Sequence, residues 1–384
     1  MRNRFLLRPD VAFLNHGSFG ACPREVFDEY GRLQRELEAE PVDFIGRRLP
    51  AMTRAVREEL GAFVGADPLD LVPVPNTTTA VNIVARSLRL GPGDEVLTCD
   101  HEYGACNRVW AFLAGRQGFT YRPVEIPLPV EDPAEFVERM IAEFTPATRV
   151  LFLSQISSPT ALTFPIEPVV RAARERGIIT LIDAAHAPGQ VPVDLDATGA
   201  DFTTGNLHKW LCAPKGAAFL HARRDVQDLL EPLIVSWGWE PPGSGAQSFT
   251  GESRFIDLFQ YTGTVDPSPF LAVPAALRFH HDPEWQSAVA GSRDLLGAAR
   301  PRIAHVLKTM PVAPDGRGWF QQMSAFLLPE GMNGPELHRR LFEEFSVEIP
   351  TMFWNGRATI RISVNGYTEP WEVDRLVEGL EALC

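Results

Sequence analysis

The sequence predicts an α/β fold: a large domain whose mostly parallel sheet is sandwiched by helices, followed by a smaller C-terminal α+β domain. Three observations predict it. Short apolar runs alternate with amphipathic stretches between about residues 70 and 220, the rhythm of β-α-β units. Several of those runs are too continuous for a sheet with one wet face, as expected when helices cover both. The rhythm breaks over 232–269 and resumes afterwards with a different order of elements.

Taken in order, the charged stretch 24–40 reads as an amphipathic helix with a solvated face rather than a binding tail. Strands are expected at 71–74, 95–98, 121–124, 149–153, 178–182 and 217–220. Helices fit the stretches between them at 80–88, 105–116, 133–144 and 167–176. The segment 232–269 is rich in Pro, Gly and Ser and carries Trp237, Trp239 and Phe249. It reads as a long loop, and long ordered loops in compact enzymes are often parts of sites. Two helical stretches follow at 268–281 and 284–308. A strand at 324–328, a helix at 334–345, a strand at 358–363 and a final helix from Glu369 complete the pattern.

The bulk numbers agree with an ordinary globular chain. It has 384 residues, 45% apolar and 22% charged, enough for two domains. A formal charge of −13 argues against nucleic acid or an anionic membrane surface as a partner. Apolar runs are too short for a spanning helix, and the N-terminal basic stretch has too small an apolar run for a signal peptide. Five scattered cysteines without a Cys-x-x-Cys pair fit a reduced, cytoplasmic protein. His101, His186 and His208 lack the close spacing of metal ligands, so no metal is expected.

One constellation carries chemistry. Lys209 stands in Gly205-Asn206-Leu207-His208-Lys209-Trp210, and Asp183 ends the apolar run before it. A Schiff-base lysine and an acid at the end of a buried strand are the fixed requirements of a pyridoxal phosphate (PLP) site. The lysine holds the aldehyde, and the acid keeps the pyridine nitrogen protonated so that the ring can accept electrons. Asn76-Thr77-Thr78-Thr79 follows a strand and opens a helix, a ready place for a phosphate. Tyr103 and His101, after the next strand, are candidates to lie against a flat ring. His186 and the Ser157-Ser158 turn could approach the ring's phenolic oxygen. All of these fall at carboxyl ends of strands, where ligands gather in open α/β sheets.

These segments resemble the class V aminotransferase group of the fold-type I PLP enzymes, and within it the isopenicillin N epimerase-like branch. The likeness also rests on Phe13-Leu14-Asn15-His16-Gly17-Ser18-Phe19-Gly20 and Ile360-Arg361-Ile362-Ser363. It implies an enzyme acting at the Cα of an amino acid or amino-acid-derived compound, as epimerase or transaminase, with C–S lyase chemistry as the alternative. A non-catalytic binding protein on the same fold is the other alternative, and the presence of Lys209 speaks against it.

The resemblance also implies roles. Lys209 carries the cofactor and moves protons, and Asp183 pairs with the pyridine nitrogen. His186 lies near the phenolic oxygen and Tyr103 stacks on the ring. Thr77, Thr78 and His208 hold the phosphate. Thr264, after Gly263, reaches the phosphate of a neighbouring subunit in a homodimer. Arg361 grips the substrate α-carboxylate, and Asn15, His16 and Gly17 form a loop closing near the substrate. The chain would then divide into an N-terminal arm (1–20), a large PLP-binding domain (21–262) and a small domain (263–384). Ser158 stands where many relatives carry Asn. The segment 350–356 has no cysteine, where cysteine desulfurases carry a mobile one.

Overall fold

The computed structural model describes residues 1–130, 132–241, 249–315 and 318–384. Twelve strands follow in chain order: β1 (Ala12–Phe13), β2 (Leu71–Val74), β3 (Glu95–Cys99), β4 (Thr120–Val124), β5 (Thr148–Ser154) and β6 (Ile179–Asp183), then β7 (Phe202–Asn206), β8 (Ala218–Ala222), β9 (Met323–Leu327), β10 (Val347–Glu348), β11 (Thr351–Trp354) and β12 (Arg357–Ser363). Seven of them build one sheet in the order β2-β8-β7-β6-β5-β3-β4. Only β8 runs against its neighbours. Helices on both faces bury the strands, and β3, β7 and β8 have no exposed residue. The two edge strands each carry a proline, Pro73 and Pro123, the place where a missing N–H costs the sheet least.

The sequence reading found six of these seven strands. β7 was missed because Phe202-Thr203-Thr204-Gly205-Asn206 has no apolar run. Its polar side chains are satisfied inside instead: Thr204 Oγ1 donates to the Phe219 carbonyl at 2.7 Å, and Asn206 serves the site described below. The loop expected over 232–269 contains a short helix, Arg254–Gln260, whose Phe255, Ile256, Leu258 and Phe259 are buried. Ser253 caps it by accepting from the Ile256 N–H. Residues 242–248 of that stretch lie outside the described residues.

The C-terminal portion is a three-stranded antiparallel sheet, β11-β12-β9, packed against the helices Pro283–Leu307, Gly334–Phe345 and Pro370–Leu383. β11 was not anticipated. It forms a hairpin with β12 across Asn355-Gly356, both at positive φ. The helices at 268–280 pack against Arg24–Ala39 and Leu49–Val64. The packing therefore changes partners along the helix 283–307, beyond the boundary expected at 263. The N-terminal arm belongs to neither end of the chain alone. β1 pairs in parallel with β10, and the Ser363 N–H donates to the Leu14 carbonyl. This pairing carries residues 15–20 to the carboxyl ends of the large sheet.

Candidate active site

β6 runs through the middle of the sheet and ends at Asp183, in register with Ser154 of β5 and Thr204 of β7. An apolar strand buried on both faces thus delivers a carboxyl group with 3% exposure. Burial pushes its pKa up, because a charge without water is costly. The Ala185 N–H, donating to Oδ1 at 2.8 Å, and the positive charge of Lys209 pull the other way. The Cys106 thiol lies 3.6 Å from Oδ2.

The chain then turns tightly through 184–190. The Ala187 N–H donates to the Ala184 carbonyl, and Gln190 Nε2 holds the His186 carbonyl at 2.7 Å. Gly189 sits at φ +85°, and a Cβ there would lie 2.5 Å from the Leu211 nitrogen. Only glycine lets this turn rest against the backbone after Lys209. The result is a contact of 3.0 Å between His186 Nε2 and Lys209 Nζ. Burial, then the nearby Arg361, lowers the Lys209 pKa to about 7. At neutral pH a large share of this lysine is a free amine, the nucleophilic form.

The second wall is an anion cradle. Asn76 caps the helix Thr77–Ser87 through the Thr79 N–H, and Asn206 of β7 accepts from the Thr77 N–H at 3.0 Å. The Thr77 hydroxyl and His208 Nδ1 are buried without a protein partner among the described residues. Buried polar atoms are rarely left so. At a helix N-terminus these two fit the oxygens of a bound phosphate.

The third wall is Arg361 on β12, 2% exposed. Its Nη1 donates to the Ser158 carbonyl at 2.7 Å and to the Ser158 hydroxyl at 3.1 Å. Its Nη2 donates to Ser18 Oγ at 3.1 Å. Its Nε has no partner, and no carboxylate pairs with it among the described residues. Burial lowers its pKa to about 10, so it stays a cation at neutral pH. A buried cation without a counter-ion is costly, and an anionic ligand removes that cost. The first two walls, with Ser18 and Ser158 standing in front of Arg361, line a cavity of about 590 Å³, ample for a small cofactor and part of a substrate.

A sequence profile of the aminotransferase class-V family matches residues 21–243. The isopenicillin N epimerase of Streptomyces clavuligerus is 39% identical over 386 residues, covering 100% of this chain and 97% of that one. The chain belongs to the class V aminotransferase family. Another relative, an L-cysteine desulfhydrase-like protein of Epichloe uncinata, is 32% identical over 297 residues, 73% of this chain and 64% of that one. Among solved structures, a mutant of C-DES with glycine covalently linked to its PLP cofactor superposes with a TM-score of 0.84. It covers 99% of both chains at 20% identity, a likeness of fold.

Seen as a class V aminotransferase, the chain brings most of the expected residues together. Thr77, Thr78, Tyr103, Ser158, Asp183, His186, His208 and Lys209 line the one cavity, and Arg361 reaches it through Ser18 and Ser158. Tyr103 is 45% exposed at the mouth. Asn15, His16 and Gly17 stand behind the wall. Asn15 accepts from the Ser18 hydroxyl and donates to Glu348. His16 is turned away from the cavity, with its ring between the Tyr367 hydroxyl, the Lys209 carbonyl and the Asn365 amide. That placement corrects the expected substrate contact for His16: it braces Lys209. Gly17 is where a Cβ would lie 2.6 Å from Met323 Sδ and 2.8 Å from Ser363 Oγ. Thr264 is exposed and its hydroxyl lies 3.4 Å from that of Tyr261, away from the cavity of its own chain.

His101 is a second correction. It is fully buried between Thr160 and the Ile126 carbonyl and lies tilted against the Trp354 ring at 4.7 Å, so it offers no face to a cofactor. The lining residues outside the expected set include Ser18, Ser154, Asn206 and Lys215. Each lies within a few residues of a segment already singled out, and proximity to those motifs was the available signal.

Proposed function

We propose that this chain is a PLP-dependent enzyme acting at the Cα of an amino acid or amino-acid-derived substrate, with isopenicillin N epimerase-like chemistry. One observation carries the reading: a buried amine near its neutral form shares a cavity with a buried aspartate, and a buried guanidinium without a carboxylate partner stands directly behind Ser18 and Ser158 of that cavity's lining. When bound, PLP supplies the electron sink that acidifies the Cα–H bond. Lys209 holds its aldehyde and then serves as general base at Cα. Asp183 takes the pyridine nitrogen, and its burial strengthens that charge pairing. Thr77, Thr78 and His208 hold the phosphate, and Tyr103 covers the ring. Arg361 grips the α-carboxylate with its planar fork, and Asn15 and Gly17 keep Ser18 against that fork.

The branch after proton removal decides the reaction. Return of the proton from the face opposite Lys209 inverts the centre. Transamination would instead leave the amino group with the cofactor and, with one water, release a keto acid, and a C–S lyase would expel a sulfur substituent from Cβ. His101 is taken up by its own hydrogen bonds, which leaves Tyr103 or water for the opposite face. The deciding experiment incubates the purified protein, with PLP, with amino acids and sulfur conjugates. Chirality, keto acid and pyruvate are scored separately. Racemisation without keto acid supports the epimerase branch, and pyruvate release from a sulfur conjugate supports the lyase.

The proposed working unit is a cytoplasmic homodimer. Five cysteines, all free, fit a reducing compartment, and no helix among the described residues is long and apolar enough to cross a membrane. Exposed Phe19, Trp237, Phe249 and Val265 suit a subunit contact, with Thr264 reaching the partner's phosphate. Mixing Lys209→Ala with Thr264→Glu subunits tests this: shared sites leave one intact site per mixed dimer, so activity returns in part.

A further inference from the structure

Trp210 follows Lys209 directly, and its indole is buried at 2% exposure. An indole N–H can only donate. It donates to His186 Nδ1 at 3.2 Å, so that nitrogen holds a lone pair. A neutral imidazole has one N–H, which therefore sits on Nε2. That hydrogen points at Lys209 Nζ, 3.0 Å away. An amine accepts such a bond only when it is neutral. Were Lys209 an ammonium, both ring nitrogens would have to accept, which no neutral imidazole can do.

We infer that Trp210 is a positioning residue: it locks His186 in the Nε2–H tautomer, which keeps Lys209 as a free amine in the apoprotein and turns an N–H toward the cofactor's phenolic oxygen in the loaded one. The second half rests on the PLP reading above. The bland alternative is that Trp210 only fills space, since it packs in the apolar core and lies 4.8 Å from the His16 ring. Two further features favour the lock. The turn that carries His186 is fixed against the Trp210 backbone, because a Cβ at Gly189 would lie 2.6 Å from the Trp210 carbonyl oxygen. The groups facing the pair from neighbouring elements also keep the imidazole uncharged. Burial comes first, and among the facing groups Lys209, Arg361, His208 and His16 each oppose a charge on the ring whenever they carry one, which at neutral pH is chiefly Arg361, while Asp183 and Cys106 act on Lys209 in the opposite sense. A donor behind the ring that sets a histidine tautomer is a recurrent device.

The test begins with the apoprotein labelled with nitrogen-15 in histidine. The His186 signal is assigned by its loss in His186→Gln. The expected result at neutral pH is a protonated Nε2 and an unprotonated Nδ1 in the wild type, and a mixture of tautomers in Trp210→Phe. A protonated Nδ1 in the wild type overturns the inference, even if the phenylalanine variant fails to fold. The second measurement titrates the visible band of the protein loaded with PLP. Losing one N–H donor at the phenolic oxygen should raise the midpoint in Trp210→Phe by about half to one pH unit. Glutamine at position 186 carries an N–H in every state. In a His186→Gln background the same change should then shift nothing. Equal shifts in both backgrounds would mean that Trp210 is packing only. Failure of the wild type to take up PLP would sink the cofactor reading and the phenolic-oxygen half with it, while the apoprotein spectrum still judges the tautomer.

Discussion

Lys209 on the floor of the cavity and Arg361 on its rim are both buried cations, yet burial leaves them in different states. It lowers Lys209 to about 7 and Arg361 to about 10. Arg361 starts higher and keeps three hydrogen bonds from its fork. Lys209 has the Arg361 charge against it and has a neutral histidine as its side-chain hydrogen-bond partner. The floor can therefore exchange a proton near neutral pH, and the rim cannot. A floor that titrates suits chemistry, and a rim that stays charged suits holding an anion. The same split runs through the surroundings. Asp183, His186 and Lys209 hang from the central strands β6 and β7. Ser18, Tyr103, Ser158 and Arg361 come from four separate segments, and their mutual positions depend on how the small sheet and the N-terminal arm meet the large one.

The largest break in this comparison is Lys209→Ala. It removes both the attachment of the cofactor and the proposed base, so turnover should fall by about 10⁴-fold or more. Borohydride should fix PLP on Lys209 in the wild type and on no residue in the variant. Labelling at another lysine, such as Lys215 in the same cavity, would move the chemistry off the floor. Asp183→Ala comes next. Without a buried carboxylate the pyridine nitrogen loses its partner, and turnover should drop to near background while Asp183→Glu keeps a measurable part. Full turnover in the alanine variant would make Asp183 a turn residue only.

Arg361→Lys breaks the rim instead. A point ammonium replaces a planar fork, and one lost charge-assisted bond is about 1.5–3 kcal/mol, which is roughly one to two powers of ten in KM. The best amino-acid substrate should show that rise with kcat changed much less. A comparable pH experiment sharpens the floor. With its pKa lowered to about 7, Lys209 is protonated and unreactive below that pH and free above it. The rate of PLP uptake by the apoprotein should rise with pH, reach half its plateau at about 7, and level off. A midpoint near the usual lysine value, about 10.4, would show that burial does not set this group.

The two regions were also unequally legible in the sequence. Asp183 and the threonines announced themselves because each sits at the end of an apolar run or the start of a helix, where local pattern fixes position, and Lys209 did so through its motif following Asp183. β7 escaped because its burial is satisfied by Thr204 and Asn206 rather than by apolar side chains. His16 and His101 were misplaced for a related reason. Both lie in motifs beside the cavity, but their rings point into the core, and side-chain direction depends on tertiary partners such as Tyr367 and Trp354. The β11 hairpin, and the hold of Ser18 on Arg361, could not be read because they come only from packing across the chain. The hairpin is pinned to the loop after β3, with Trp354 Nε1 donating to the Asp100 carbonyl at 3.0 Å and Asn355 to the Asp100 carboxylate at 2.6 Å. Where a desulfurase carries a mobile cysteine, this chain holds a clamped turn.

Ser158 gives the smallest expected effect and the finest test of where floor ends and rim begins. It follows the same strand that brings Ser154 beside Asp183, yet its hydroxyl and carbonyl both face Arg361. Ser158→Ala removes only the hydroxyl contact at 3.1 Å and leaves the carbonyl bond at 2.7 Å. The donor of the lost bond is the Arg361 cation, but the shorter carbonyl bond to the same nitrogen remains, so the loss should fall at or below the low end of the charged-group range, about 0.5–1.5 kcal/mol. If Ser158 belongs to the rim, KM should rise about two- to tenfold, kcat should hardly move, and the visible band of the bound cofactor should titrate as in the wild type. If instead it serves the phenolic oxygen beside His186, kcat and the titration midpoint should shift while KM stays put. The hydroxyl spends its contact on Arg361, and His186 has its own N–H to offer, so the first pattern is the expected one.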